Sequence, residues 1–215
     1  MIHIAFAHWN ALNVATFRGA LEWLDDTEHQ YSSRFRDHIS RSEWQGGRIL
    51  LRWLLSRITH SDPAQWRFRK EPSGRLTISQ KISCGYSVSL SRAPGIAVAA
   101  IASGFPVGVD VEAVNAAGIA EDVLTDTERV NAAQNPVALT SFWCMREAVA
   151  KGCGAGVAWA MEPQCFQSES RYIDPSGNTW SSLRLFLPSG WTGAVAAPGM
   201  IPEVVLIDAF ASGFP

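Results

Sequence analysis

Cysteine is scarce in this sequence and not paired in pattern: Cys84, Cys144, Cys153 and Cys165 form no Cys-x-x-Cys motif. That argues against a zinc site and for a reduced, cytoplasmic protein. No run approaches the roughly 18 apolar residues of a membrane span, which excludes that class. Met1-Ile2-His3-Ile4-Ala5-Phe6-Ala7 lacks a basic leader and a long apolar stretch, so it does not read as a signal peptide. Neither sign of charge dominates: the net charge is -2, which gives no support for bulk nucleic-acid binding. Tyrosine is rare, three residues against nine tryptophans, and large core side chains are the only physical account of that ratio. Apolar material is plentiful. With 215 residues, 47% of them hydrophobic, the chain can build a real core as one large domain or two small ones.

In chain order, residues 2–9 read as a strand and 20–35 as a polar helix or helices, with Leu21, Trp23, Leu24 and Tyr31 as apolar points. Ser40 or Ser42 is placed to cap a helix over 43–58. That helix carries Ile49, Leu50, Trp53 and Leu54 at helical spacing, and Trp44, Arg48 and Arg52 in one line. Residues 66–69 alternate as a strand before the turn Glu71-Pro72-Ser73-Gly74-Arg75. Tyr86, Val88 and Leu90 then alternate strictly with Ser87, Ser89 and Ser91. Turns at Pro94-Gly95 and Gly104–Pro106 lead into 96–101 and 107–112, so an antiparallel meander of three strands is expected. A loop over 115–127 follows, and Thr125-Asp126-Thr127-Glu128 can open a helix. Strands are expected again at 183–187, 193–197 and 204–209.

Between these strand groups lies a helix over 141–151, capped by Thr140 or Ser141 and stopped by Gly152, Gly154 and Gly156. It puts Trp143, Glu147 and Lys151 in one line. By itself a Glu–Lys pair one turn apart is an ordinary surface ion pair. The two halves of the chain also echo each other. Residues 90–100 overlay 187–197 at an offset of 97, Asp110 overlays Asp208 at 98, and Trp44-Arg48-Arg52 overlays Trp143-Glu147-Lys151 at 99. Agreement over three separate elements points to an internal duplication. The expected fold is α+β: two similar halves, 1–112 and 113–215, in a pseudo-twofold arrangement. Each half is a helix packed on a three-stranded antiparallel sheet, with an active site in the cleft between them. The competing explanation is that any α+β domain of this length offers some helix-then-strands echo.

Asp110 and Glu112 stand two apart on a strand and share a face, while Val109 and Val111 take the other. Adjacent carboxylates repel unless a cation joins them, and oxygen ligands suit Mg²⁺ or Mn²⁺. A solvent-facing acidic strand end explains the same pair. Glu147 would complete a metal site, and phosphates would fill out its shell. Cationic partners for those phosphates are available in Arg41, Arg48, Arg52, Arg75, Arg92 and Lys151. Arg34, Arg36, Arg67 and Arg69 read as solvated surface.

Gly108-Val109-Asp110-Val111-Glu112, followed by Phe142-x-x-x-Arg146-Glu147-Ala148-x-x-Lys151 with Trp143 inside it, resembles the paired signature of the 4'-phosphopantetheinyl transferases. Gly47 to Arg52 resembles that family's first-half helix, Ser73-Gly74-Arg75 its Gly-Lys-Pro turn, and Val88 to Arg92 its Phe-Asn-Leu-Ser-His strand. Glu128 resembles the acidic residue before the catalytic helix. Length and duplicated halves are similar to the larger pseudo-dimeric members, of the kind that activates surfactin synthetase. The chain departs from the pattern at Arg92 for histidine, Arg146 for lysine, Ser89 for asparagine and Leu76 for proline.

The resemblance implies transfer of phosphopantetheine from coenzyme A to a serine of an apo acyl or peptidyl carrier protein by a monomer, without nucleic acid or membrane. Asp110, Glu112 and Glu147 would hold Mg²⁺. Glu147 and Lys151 would be catalytic. Arg41, Arg48, Gly74, Arg75, Ser91, Arg92 and Lys151 would bind the coenzyme A. Two alternatives share these residues: a non-catalytic coenzyme A or carrier-binding homologue, and a Mg²⁺-dependent pyrophosphate hydrolase.

Overall fold

The computed structural model describes residues 1–9, 19–79, 85–114, 124–162, 166–168 and 170–215. Cys84, Cys165 and positions 115–123 of the expected loop lie outside them. The first half holds β1 (Ile2–His8), α1 (Asp26–Ser32), α2 (His38–Thr59), β2 (Phe68–Lys70), β3 (Leu76–Ile78), β4 (Tyr86–Ala93), β5 (Ile96–Ser103) and β6 (Gly108–Ala113). Then come α3 (Asp126–Gln134), α4 (Pro136–Cys153), α5 (Val157–Ala160), β7 (Phe166–Ser168), β8 (Arg171–Ile173), β9 (Thr179–Leu185), β10 (Trp191–Pro198) and β11 (Val204–Asp208). The fold is mixed α+β. Among the described residues no helix is long and apolar enough to cross a membrane.

Strand patterning dictates four layers. β5 (Ile-Ala-Val-Ala-Ala-Ile-Ala) and the middle of β10 are apolar at successive positions, which marks strands covered on both faces. One face of β5 (Ala97, Ala99, Ile101) packs on Ile49, Leu50 and Leu54 of α2. The other face (Ile96, Val98, Ala100) meets Val109, Val111 and Val195 of the second sheet. Beyond that sheet, Ala194 and Ala196 of β10 receive Cys144, Ala148 and Val149 of α4. The order is therefore α2, sheet, sheet, α4.

Each sheet is larger than the three-stranded meander expected from sequence. The first has four strands in the order β11-β1-β5-β4, with β11 parallel to β1; the second has five, β6-β10-β9-β8-β7. β6 does not continue the β4–β5 hairpin. It crosses to the second sheet and pairs antiparallel with β10. The serines of β4 explain how. The edge of β6 away from β10 carries backbone N–H groups that burial would leave unpaired. The N–H of Val107 donates to Ser87 Oγ (3.1 Å) and that of Val109 to Ser89 Oγ (3.0 Å). The alternation in 86–91 thus has two uses: Tyr86, Val88 and Leu90 face α2, and the serines hold the neighbouring sheet.

The helices also begin earlier than expected. Asp37, not Ser40 or Ser42, caps α2 by accepting from Ser40 N. Asn135, not Thr140 or Ser141, caps α4, and Pro136 supplies the first helical residue. Ser141 is instead buried and hydrogen-bonded to Thr192 of β10 at 2.9 Å. Gly154 ends α4 in the left-handed conformation, φ 79°.

Gly108 sets how closely α4 approaches β6. A Cβ there would lie 1.8 Å from the Ala148 carbonyl oxygen and 2.5 Å from Gly152 N. Both neighbours are backbone, so neither can yield as a side chain would. Gly108→Ala is therefore expected to cost at least about 3 kcal/mol in urea denaturation, through overpacking. Gly19→Ala, with nothing among the described residues within 4 Å of the added Cβ, is expected to stay within about 0.5 kcal/mol.

Candidate functional site

Three layers deliver side chains to one point. β6 presents Asp110, β4 presents Ser91 and α4 presents Lys151. Lys151 Nζ lies 2.5 Å from Asp110 Oδ1 and donates to Ser91 Oγ at 2.9 Å, while Ser91 donates to the same Asp110 oxygen at 2.8 Å. Glu147, one turn back on α4, stands 4.0 Å from Lys151. Asp110 is 1% exposed, and its second oxygen, Oδ2, is buried without a hydrogen bond among the described residues.

The charges at this point are crowded. Burial, then the Asp110 charge, raises the Glu112 carboxyl to about 7, with Glu147 adding to the rise and Lys151 opposing it. Glu147 is also raised, by burial first; Lys151 opposes and Asp110 adds. For Lys151, burial works against the ammonium, but the charge and hydrogen bond of Asp110, with Glu147 behind them, carry its pKa above the ordinary value. The Cys144 thiol beneath Asp110 is pushed up by burial and by that carboxylate. Among the described residues no three His, Cys, Asp or Glu side chains stand close enough to form a metal cluster as folded, and Lys151 serves as the cation at Asp110. The donor set nevertheless fits a hard divalent ion: an unpaired buried carboxylate oxygen flanked by two carboxyls whose charge is disfavoured.

From Lys151 a cleft of ≈ 470 Å³ runs over β4 to α2 and the β2–β3 hairpin, lined by Arg48, Lys70, Gly74, Arg75, Arg92 and the aromatic rings of Tyr31, Trp44 and Phe68. Arg92 reaches it across Gly47, where a Cβ would come within 2.8 Å of Arg92 Cδ. Burial lowers the Arg48 guanidinium, Glu28 works against that, and the charges of Arg52 and Arg92 add to the lowering. Arg48 Nη1 and Arg75 Nε are buried with no hydrogen-bond partner among the described residues. Unpaired guanidinium donors in a cationic cleft are complementary to phosphate oxygens.

Of the residues singled out as donor-binding, Arg48, Gly74, Arg75, Arg92 and Lys151 share this cleft. Arg41 and Ser91 do not line it. Arg41 Nη2 donates to the Phe35 carbonyl at 2.9 Å, and Ser91 belongs to the serine face of β4, turned toward Asp110. Arg52 is wholly buried. It grips Glu28 through two hydrogen bonds, 3.1 and 2.5 Å, and the Trp66 carbonyl at 3.0 Å. Glu28 and Lys70 are cleft residues that sequence reasoning missed. Asp25-x-x-Glu28 was a readable signal for the first, because it forms the capping box of α1. Arg146 and Glu128 stand apart as a buried pair at 2.7 Å, both 1% exposed. Arg146 also donates to the Glu162 carbonyl at 3.3 Å, and Glu128 closes the capping box of α3 with Thr125. The departure from lysine at 146 thus lies in a structural ion pair away from the cleft.

Two measurements check this electrostatic picture. Glu128→Ala or Arg146→Ala is expected to cost about 3–5 kcal/mol in chemical denaturation by stranding a buried charge. The double variant Glu128→Leu/Arg146→Met should recover at least half of that. Glu112 has a higher pKa folded, about 7, than the 4.5 of a free carboxyl. Its ionisation therefore costs nothing at pH 4, costs progressively more through pH 4.5–7, and costs fully above pH 7. Glu112→Gln should then raise stability at pH 8 by about 1 kcal/mol or more after allowance for partial exposure, and leave it unchanged at pH 4, in the absence of divalent cation.

No curated protein gives a significant match to the chain. Residues 106–187, which run from the strand bearing Asp110 and Glu112 through the helix bearing Glu147 and Lys151, do match a family model, that of the 4'-phosphopantetheinyl transferase superfamily.

Proposed function

We propose that this protein transfers the 4'-phosphopantetheine group of coenzyme A to a serine of an apo acyl or peptidyl carrier protein, with Mg²⁺ or Mn²⁺, and releases adenosine 3',5'-bisphosphate. The observation that carries the reading is the continuity of the site. The segment that matches the family model brings Asp110 and Lys151 together, and Lys151 also lines a cleft where Arg48 Nη1 and Arg75 Nε are buried without a hydrogen-bond partner among the described residues. A pyrophosphate-bearing donor with a further terminal phosphate has the charge and the reach for such a site.

Asp110, Glu112 and Glu147 would hold the metal, which when bound supplies Lewis-acid polarisation of the pyrophosphate. The remaining work falls to the chain. Glu147 is made more basic by burial and takes the proton of the carrier serine as its oxygen attacks the phosphorus next to the pantetheine arm. Lys151 is held charged beside Asp110 and neutralises the bisphosphate that leaves. Ser91 holds Asp110 Oδ1, which leaves Oδ2 free to face the donor. Arg48, Arg75 and Arg92 grip the terminal phosphate, Arg92 in the family's histidine position. Halves 1–112 and 113–215 related by duplication, monomeric and cytoplasmic, complete the reading. β6 is then the strand the first half lends to the second sheet.

The protein incubated with an apo carrier, coenzyme A and Mg²⁺ is expected to increase the carrier mass by one phosphopantetheine, as read by mass spectrometry. Glu147→Gln should lower the rate at least about 100-fold, the usual scale for general-base removal. No added mass on any of several apo carriers would reject the transferase reading. Cleavage of coenzyme A without a carrier would indicate a hydrolase instead.

A further inference from the structure

The cleft has two chemically different walls. One is cationic, formed by Arg48, Lys70, Arg75, Arg92 and Lys151. The other is aromatic: Tyr31 from α1 and Trp44 from α2, with ring centroids 5.0 Å apart and 33° between planes. Phe35 closes the cluster, 5.9 Å from Tyr31 and 6.3 Å from Trp44. Trp44 is only 7% exposed and forms a fixed backing, whereas Tyr31 is 48% exposed and offers a reachable ring. The Arg48 guanidinium stands 5.1 Å from the Trp44 ring, so a cation for a phosphate lies within one ring's breadth of this wall.

Phosphates need donors, and a pantetheine arm is a flexible chain of amides and methylenes. Neither accounts for an exposed aromatic ring facing the cations of this cleft. A flat π-system joined to phosphates accounts for both walls at once, because base–aromatic stacking and charge-assisted hydrogen bonds act on different parts of one ligand. We propose that Tyr31, backed by Trp44, is the platform on which the purine base of the phosphate-bearing donor stacks. The adenine identity of that base rests on the coenzyme A reading above; the stacking does not. The exposed Arg34 guanidinium, 5.8 Å over the Tyr31 ring, is the group the base displaces. The competing explanation is that Tyr31 merely covers Trp44. Such a cover would serve ligands with and without a base alike.

Calorimetric titration of wild-type protein, Tyr31→Leu and Tyr31→Phe with adenosine 3',5'-bisphosphate and with inorganic pyrophosphate separates these. Leucine keeps the apolar cover over Trp44 but has no π-face. Tyr31→Leu is expected to weaken the adenosine bisphosphate by about 5- to 100-fold, the range stacking of one base spans. Pyrophosphate affinity should stay within about twofold, and Tyr31→Phe should keep nearly full affinity for both. Adenosine bisphosphate binding to Tyr31→Leu as tightly as to wild type, or an equal loss for both ligands, overturns the platform. So does a wild-type protein that gains no affinity from the base. Base-dependent, Tyr31-dependent binding without any phosphopantetheine transfer by the wild type would uphold the platform and reject the transferase reading.

Discussion

The contact on which the architecture turns is Lys151 on Asp110, with Ser91 bonded to both. It joins β4 of the first sheet, β6 of the second and α4 of the outer layer. A buried carboxylate with no counter-ion would be driven to protonate or to expose itself. Here the ammonium satisfies one oxygen and leaves the other bare. Where β4 meets β6, the contact between the sheets is polar. Among the described residues no strand pairs with the outer edge of β6, and β4 answers it with hydroxyls in place of a backbone ladder. The hydrogen bonds that hold the two sheets together at this edge therefore run straight into the site.

Small residues make that convergence possible. Gly108 lets the α4 backbone lie against the start of β6, and Gly152 lies against the indole of Trp180. Alanines on β5 and β10 perform the same service for α2 and α4. Part of the echo between 96–100 and 193–197 follows from this shared situation. Both strands are covered by a helix on one face and a sheet on the other, and only small or branched apolar side chains fit there. The arginines show the opposite use of burial. Arg52 and Arg146 are sunk and matched by Glu28 and Glu128, while Arg48, 3.7 Å from the same Glu28, and Arg75 line the cleft.

Much of this was legible in advance. Period-two and helical patterns located β4, β5, β6, α2 and the core of α4, because those patterns record which face is buried. The Asp110/Glu112 pair and the Glu147/Lys151 pair were legible as motifs because their spacing belongs to a single strand and a single helix. Partner choice was not legible. Nothing local in 107–112 says that its ladder partner is β10, almost eighty residues on, nor that its other edge meets serines. α1 was readable only as a polar segment, although Asp25 and Glu28 carried a capping signal. Its role as the source of Glu28 for Arg52 depends on a contact across 24 residues. The cap of α4 was misplaced because Thr140 and Ser141 are good capping residues by chemistry, yet the helix already runs through them from Asn135.

By itself, then, the sequence determined the α+β class, most elements and the placing of Asp110 with Glu112 on one strand and of Glu147 with Lys151 on one helix, since short-range periodicity and motif spacing are properties of neighbouring residues. Only the tertiary structure decided which of its many cations line the cleft. The neighbours that surround each guanidinium come from elements distant in the chain: Glu28 for Arg52 and, at 3.7 Å, for Arg48, Glu128 for Arg146, and the cleft that Arg48 and Arg75 line. The same holds for Lys151. A helix-surface lysine one turn from a glutamate became the half-buried cation of Asp110 because the pairing of β6 in the second sheet carried that carboxylate beneath α4.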